Sequence, residues 1–135
     1  MKEQLVFVYG TLKHGHSNNM LMDSSKFIGR AITIDKFVMY QSGIPFVSKS
    51  LSTTNISGEV YSVNETTMYN LDLLEHHPDW YVREKVSVRV IDREGEIKTM
   101  EAWLYFNEEI PHSATLVKSG IYGYENKSRL DALFL

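Results

Sequence analysis

The sequence predicts an α+β domain in which β-strands predominate and one clear amphipathic helix interrupts them. Six short segments are rich in β-branched and aromatic residues, and turn sequences such as "SGIP" and "DREG" lie between them. By contrast, the segment "VNETTMYNLDLLEHHP" has apolar residues at helical spacing between a capping residue and a proline. A chain of 135 residues without repeats or linkers is expected to form a single domain over residues 1–135.

The predicted strands are residues 5–9, 26–34, 37–41, 56–62, 82–92 and 96–106. Residues 5–9 are apolar or aromatic throughout, which is typical of a strand buried on both faces. Within residues 82–92, Val86, Val88 and Val90 alternate with polar residues, and the "DREG" turn then leads into residues 96–106. This pattern predicts a long antiparallel hairpin.

The predicted helix begins after Asn64, whose side chain suits an N-cap, and ends shortly after Glu75 because Pro78 cannot continue it. At about 100° per residue, one apolar arc of the helix contains Met68, Leu71 and Leu74. Glu75 follows Leu71 by four residues and falls within the same arc. Leu73 lies off the arc, so a second side of the helix is expected to be covered.

An acidic residue on the apolar arc has two interpretations. At the end of the helix, Glu75 could lie in water or pair with an arginine, as many terminal acids do. If it points inward, burial and the negative end of the helix dipole both raise its pKa. A buried acid in a cleft is a candidate for general acid/base catalysis, because burial without a function is costly.

A second candidate site is the turn after the first strand, in "VFVYGTLKHG" at residues 6–15. Successive loop amides can converge on an anion, and Gly10 lacks the Cβ that would obstruct a close approach. An ordinary β-turn is the alternative for any Tyr-Gly-Thr sequence. No Gly-Lys-Ser/Thr follows and no G-x-G-x-x-G occurs, which argues against nucleotide binding.

Charge and composition argue against several classes of partner. The formal net charge of −3 gives no electrostatic attraction for nucleic acid or for an anionic membrane. Without cysteine, the chain has no disulfide, thiolate nucleophile or zinc ribbon. The apolar part of "MKEQLVFVYG" is too short for a signal peptide, so the expected location is cytoplasmic.

Three motifs together resemble the γ-glutamylcyclotransferase-like superfamily, and most closely its small γ-glutamylamine cyclotransferase branch. They are "VFVYGTLKHG", "GEVY" at residues 58–61 and "LDLLEHHPDWYVRE" at residues 71–84. The resemblance implies a small mixed-strand β-barrel with flanking short helices, in which the turn and the helix-terminal glutamate meet in one cavity. It implies that Glu75 is the catalytic acid/base. The substrate-binding residues that it implies are Tyr9, Gly10, Thr11, Leu12 and Tyr81.

The family reaction implies a small-molecule γ-glutamyl substrate and no metal or cofactor. The α-amine of a γ-glutamyl amide attacks its own γ-carbonyl and gives 5-oxoproline and a free amine, with Glu75 as base and then acid. We expect no nucleic-acid or membrane partner, and a monomer or small homo-oligomer. Relatives often carry a Gly-Asp-aromatic stretch near the C-terminus. This chain has Ile121 in the acidic place, which is expected at the pocket rim.

Histidines suggest a metal site as an alternative. The histidines are His14, His16, His76 and His77, with Glu75 or Asp79 to complete the site. Adjacent histidines at a helix end point about 100° apart, however, and no third ligand is fixed by spacing.

Two further charged residues and the C-terminal tail can be interpreted as structural rather than functional. Arg83 shares the strand face of Tyr81 and could neutralise a substrate carboxylate or form a structural ion pair. Glu59 is expected to be solvated or paired. The tail "SRLDALFL" predicts a short amphipathic helix that packs on the domain or on a partner.

The alternative function is a non-catalytic module that binds a small acid or another protein. Glu75 argues against it, because a carboxylate facing an anion-binding turn hinders anion binding.

Overall fold

The computed structural model of the protein describes residues 3–10, 12–13 and 19–123, with the side chains of residues 20 and 21 excepted. Thr11, His14, His16 and the tail predicted as a helix lie outside these residues. In chain order the elements are β1 (Gln4–Val8), a 3-10 helix (Asn19–Met22), β2 (Lys26–Ser42), β3 (Ile44–Ser48), β4 (Thr54–Val63), α1 (Glu65–Leu74), β5 (Val82–Ile91), β6 (Ile97–Phe106) and β7 (Thr115–Leu116).

Five strands close into a mixed barrel. Their order is β2-β4-β1-β6-β5, and β5 pairs back onto β2. The β1–β6 pair is parallel, whereas the other four pairs are antiparallel. β3 and β7 pair with the far end of β2. The small mixed-strand barrel expected from the family resemblance is therefore confirmed.

β1 is buried on both faces, as its sequence predicts, because it lies between two cores. Phe7 belongs to the core that collects side chains from all five barrel strands. Val6 and Val8 belong to a second core, in which Met68 and Leu71 of α1 pack against the outside of the barrel. The helix therefore covers the barrel next to the end of β1, where the candidate turn begins.

The two strands predicted at residues 26–34 and 37–41 are in fact one long strand, β2. Its pairing with β4 shifts register between Ile32 and Lys36, so the exposed polar residues there mark an irregularity within the strand. The Asn55 side-chain amide donates to the carbonyl oxygens of Thr33 (2.9 Å) and Ile34 (3.1 Å) at this point. Backbone groups that the register shift takes out of the ladder are thereby satisfied.

β3 and β7 were not predicted. β3 contains Pro45, which lacks an N–H and therefore suggested a turn rather than a strand. The hairpin between β5 and β6 is confirmed, in register from Val82 opposite Phe106 to Ile91 opposite Ile97.

The limits of α1 agree with the predicted helix. The side chain of Asn64 accepts the backbone N–H of Thr67 at 2.8 Å, and Glu75 is the C-cap. Met68 and Leu71 are buried, as the apolar arc predicts. Leu73 is 57% exposed, so the expected cover on a second side of the helix is wrong within the described part of the chain. Nor does that part contain a helix long and apolar enough to cross a membrane.

Candidate active site

The end of α1 fixes the backbone of Glu75. The N–H of His76 donates to the carbonyl of Leu73 (3.2 Å), and the N–H of His77 donates to that of Asp72 (2.9 Å). These two bonds form a Schellman motif, which needs a left-handed residue after the C-cap. His76 fills that position with φ of +53°. The chain therefore turns sharply after Glu75 instead of continuing the helix.

The loop after this turn brings Tyr81 beside Glu75. The backbone N–H of Tyr81 donates to the carbonyl of Glu75 at 3.2 Å. The Tyr81 ring stacks on Phe46, with centroids 5.8 Å apart, and its hydroxyl donates to the carbonyl of Pro45 at 2.7 Å. Tyr81 is thus buried and held at both its backbone and its hydroxyl.

Tyr9 reaches the same place from the end of β1. Its hydroxyl donates to the carbonyl of Tyr105 at 2.6 Å and accepts a hydrogen bond from the backbone of Val47. The hydroxyl protons of Tyr9 and Tyr81 are therefore both bound to backbone carbonyls. Toward a ligand, these two oxygens can only accept hydrogen bonds.

Glu75 and the two tyrosines line one cavity of about 130 Å³. The other lining residues are Phe7, Val8, Gly10, Leu12, Ile44, Pro45, Leu74, Trp80 and Tyr105. The structure thus brings together five of the six residues that the sequence singled out. Thr11, the sixth, lies outside the described residues.

Glu75 is partly buried, and its carboxyl group has no hydrogen bond or ion pair with any of the described residues. Burial raises its pKa to about 7. Burial, followed by the nearby Tyr81 and Glu75, also raises the pKa of Tyr9, and burial followed by Glu75 raises that of Tyr81. Near neutral pH the cavity therefore holds two uncharged hydroxyls and one carboxyl group that can either give or take a proton.

A backbone hydrogen bond links the two ends of the turn after β1. The N–H of Lys13 donates to the carbonyl of Gly10 at 3.0 Å. A Cβ on Gly10 would lie 2.7 Å from Cγ of Pro45, so the close approach at this glycine is made by Pro45. This corrects the expectation that Gly10 leaves room for a ligand. The N–H groups of Gly10 and Leu12 have no acceptor among the described residues.

Residues of the "GEVY" segment hold this turn in place. The side-chain amide of Asn19 donates to the carbonyl of Leu12 (2.9 Å) and to the hydroxyl of Tyr61 (3.2 Å). The Tyr61 hydroxyl in turn donates to Glu59 at 3.1 Å. Glu59 is therefore a paired residue, as expected.

Arg83 forms the structural ion pair that was one of its two interpretations. Its guanidinium lies 2.8 Å from a carboxylate oxygen of Asp72, and Asp72 also accepts the hydroxyl of Tyr105 at 2.7 Å. Sequence reasoning missed Asp72 and Tyr105. The available signal was the position of Asp72, three residues before Glu75 in the last turn of the helix.

Two of the four histidines of the alternative metal site, His14 and His16, lie outside the described residues. Within the described part of the chain, Glu75, His76, His77 and Asp79 form no group of ligand atoms, and the acids that do cluster there are Asp92, Glu94 and Glu96 in the β5–β6 turn. Ile121, expected at the pocket rim, is not among the described lining residues. Its neighbour Tyr122 instead donates to the carbonyl of Gly43, next to Ile44 of the cavity wall.

Comparison with known proteins gives matches over most of the chain. A profile of the family described as "Gamma-glutamyl cyclotransferase, AIG2-like" matches residues 6–124. A Methanocaldococcus jannaschii protein named "Putative gamma-glutamylcyclotransferase MJ1514" is 45% identical over 120 residues, covering 88% of this chain and 95% of that protein. Gamma-glutamylaminecyclotransferase B of Danio rerio is 38% identical over 110 residues, covering 75% of this chain and 58% of the relative.

The fold is also similar to solved structures. The crystal structure of an AIG2-like protein from Mus musculus aligns with a TM-score of 0.76 at 26% identity, and the alignment covers 88% of each chain. Sequence and fold thus agree over the region that contains β1, α1 and the cavity between them. The chain therefore belongs to the gamma-glutamyl cyclotransferase, AIG2-like family, and gamma-glutamylaminecyclotransferases are among its relatives.

Proposed function

We propose that this protein converts a γ-glutamyl amide or amine conjugate to 5-oxoproline and a free amine in the cytoplasm, with Glu75 as general base and then acid. One observation carries the proposal: the Glu75 carboxyl group, with a pKa of about 7, lines a small cavity beside two hydroxyls that can only accept hydrogen bonds. Family membership supplies the reaction class, and the cavity supplies a role for each group.

The acceptors of the cavity suit the α-ammonium group of the substrate. The oxygens of Tyr9 and Tyr81 and the carboxylate of Glu75 provide three acceptors, which match an ammonium with three donors. A cavity of about 130 Å³ is large enough to hold several water-sized groups, as a bound small molecule requires. The leaving amine then extends toward solvent between Ile44 and Trp80, which are each 36% exposed.

The chemistry proceeds by proton transfer through one carboxyl group. Glu75 removes a proton from the α-ammonium, and the amine nitrogen attacks the γ-carbonyl carbon to form the ring. Collapse of the tetrahedral oxyanion breaks the bond to the leaving nitrogen. The proton held by Glu75 and the second proton of the ring nitrogen pass to that nitrogen. The products are 5-oxoproline and an ammonium ion, and no water is consumed.

The turn after β1 supplies donors for the negative groups of the substrate. Gly10 and Leu12 line the cavity, and we assign their N–H groups to the α-carboxylate or to the oxyanion. A well-oriented intramolecular attack gains about 7–11 kcal/mol over its bimolecular counterpart, and the site adds the orientation to the connection that the substrate already has. A site with one acid/base group and a few fixed dipoles is therefore sufficient equipment for this reaction.

The test is formation of 5-oxoproline from a panel of γ-glutamyl compounds. Glutathione, γ-glutamyl-amino acids and γ-glutamyl-ε-lysine are incubated with the protein, and 5-oxoproline is measured by mass spectrometry. We expect turnover of at least one compound, with amine-linked substrates preferred, and no effect of a metal chelator. Glu65→Gln, an exposed position in the first turn of the same helix, is the matched control for Glu75→Gln.

The alternative is a non-catalytic module that binds a small acid or another protein with the same cavity. This alternative is favoured if no panel compound yields 5-oxoproline while at least one of them binds, as measured by calorimetry.

A further inference from the structure

Asp72 joins the last turn of α1 to two strands of the barrel. Its carboxylate accepts Nε of Arg83 at 2.8 Å, Nη2 of Arg83 at 3.2 Å and the hydroxyl of Tyr105 at 2.7 Å. Burial opposes ionisation, but the bonds from Arg83 and Tyr105 lower the pKa of Asp72, so it is charged near neutral pH. Arg83 and Tyr105 lie directly opposite each other in the β5–β6 register. One carboxylate therefore links the end of the helix to both strands of the hairpin, at one cross-strand pair near its open end.

Both partners of Asp72 are themselves held in place. The guanidinium of Arg83 lies over the Trp103 ring, 4.4 Å from its centroid, and the backbone N–H of Arg83 donates to Nδ1 of His77 at 3.2 Å. Tyr105 lines the cavity, and its carbonyl accepts the Tyr9 hydroxyl. Tyr105 therefore contacts Asp72 through its hydroxyl and the cavity-lining Tyr9 through its backbone carbonyl.

We propose that Asp72 is a positioning residue, which ties the end of α1 to the β5–β6 hairpin and thereby holds the Glu75 carboxyl group in the cavity. What Glu75 does there rests on the proposed function. The backbone carbonyl of Asp72 also accepts the N–H of His77. This bond belongs to the turn that directs the chain away from Glu75. The neighbouring Leu73 is exposed, so apolar packing secures this helical turn on one side alone.

The groups around Glu75 make its titration a measure of its position. Tyr9, Tyr81 and Tyr105 face it from the turn after β1, the loop before β5 and β6, and all three have raised pKa values, mainly through burial. They are therefore uncharged near neutral pH. His76 and His77 follow Glu75 in its own loop, and Arg83 is paired with Asp72. Burial raises the pKa of Glu75, so a shift of this side chain into water lowers it.

The experiment compares Tyr105→Phe and Asp72→Asn with wild type by steady-state kinetics and by NMR titration of glutamate side-chain carbons. The Glu75 signal is identified by its loss in Glu75→Gln. Tyr105→Phe is the sharper variant, because it removes one hydrogen bond of Asp72 and leaves the ion pair with Arg83 intact. Asp92→Asn is the matched control, since it removes the ion pair with Lys98 at the other end of the same hairpin. The Asn side chain keeps the Oδ1 that accepts the two turn hydrogen bonds of Asp92.

We expect kcat to fall in both variants with a much smaller change in KM, by about threefold to tenfold in Tyr105→Phe, which keeps the ion pair, and by up to about a hundredfold in Asp72→Asn, the loss that a displacement of about 1 Å can cause. The pKa of Glu75 should fall from about 7 toward its ordinary value of 4.5. Asp92→Asn should change neither quantity.

An unchanged titration of Glu75 in both variants overturns the proposal, whatever happens to turnover. If Asp72→Asn does not fold, Tyr105→Phe decides alone. A wild-type protein that forms no 5-oxoproline contradicts the proposed function, and the titration still decides the role of Asp72. A lowered pKa with unchanged turnover contradicts Glu75 as the acid/base and leaves its positioning by Asp72 supported.

Discussion

At the scale of the single residue, Glu75 is a group whose ionisation costs the folded protein stability. Its pKa is raised to about 7 from an ordinary value of 4.5, because burial disfavours the carboxylate. A group with a raised folded-state pKa contributes stability below its unfolded pKa and loses it as the pH rises through the folded value. The loss therefore falls between about pH 4.5 and pH 7 and is at most on the order of 3 kcal/mol.

Glu75→Gln should remove this pH-dependent cost. We expect the variant and wild type to be equally stable near pH 4.5, and the variant to be the more stable above pH 7. Chemical denaturation at a series of pH values measures the difference, with Glu65→Gln as control. A Gln variant that is less stable than wild type at pH 8 would contradict a buried, unpaired Glu75.

The same residue should set the pH dependence of turnover. A base with a pKa of about 7 gives a kcat/KM that rises tenfold per pH unit below that value and levels off above it. Glu75→Gln should lower turnover by about 10²–10⁴-fold, the usual contribution of a general acid/base, and abolish the inflection. Retention of more than about a tenth of wild-type turnover would exclude the assigned role.

At the scale of the element, the end of α1 decides where Glu75 points. The Schellman turn requires a left-handed residue, and His76 takes that conformation at φ of +53° although it has a Cβ. A left-handed conformation costs an L-residue about 1–2 kcal/mol, and a β-branched residue tolerates it least. The turn is therefore maintained by its hydrogen bonds and by the docking of the loop that follows.

Two substitutions at His76 separate backbone strain from side-chain chemistry. His76→Gly should be at least as stable as wild type and keep its turnover, because glycine adopts the left-handed conformation without strain. His76→Val should be less stable than His76→Gly by about 1–2 kcal/mol and should lose turnover as the turn opens. Thermal melts and kinetics of the pair provide the test. Equal stability of the two variants would show that the turn does not constrain the helix end.

At the scale of the whole molecule, the barrel and the helix share β1 as a common wall. The barrel core and the core under α1 lie on its two faces, so the two parts are expected to unfold together. A side chain in either core should then affect one common transition, whereas an exposed helix residue should have little effect.

Leu104→Ala should therefore destabilise the protein by about 2–5 kcal/mol, because Leu104 is fully buried inside the barrel. Leu73→Ala, on the exposed side of α1, should change stability by less than about 0.5 kcal/mol. Both should show one cooperative transition by circular dichroism and by fluorescence. Separate transitions for helix and barrel would contradict a single domain over residues 1–135.

Features that depend on neighbouring residues could be predicted from the sequence. The burial of β1, the limits of α1 and the β5–β6 hairpin follow from apolar periodicity, capping and turn residues, all of which act within a few positions. Periodicity placed Glu75 on the apolar arc and left open whether its side chain points inward or into water. The motifs around Tyr9, Glu75 and Tyr81 were also enough to predict that these side chains meet. Family likeness, rather than periodicity, was the source of that last prediction.

Features that depend on pairing between distant segments became visible in the folded structure and could not be predicted from local sequence. Residues 26–42 are one strand because β4, β5 and β3 bond to it along its length, and that support overrides a local polar break. Gly10 is small because Pro45, distant in sequence, packs on it. Asp72 became part of the site because Arg83 and Tyr105 lie opposite each other in the hairpin. Such contacts form between residues that are far apart in the sequence. Local sequence preferences act over a few residues and therefore do not specify which distant residue becomes the partner.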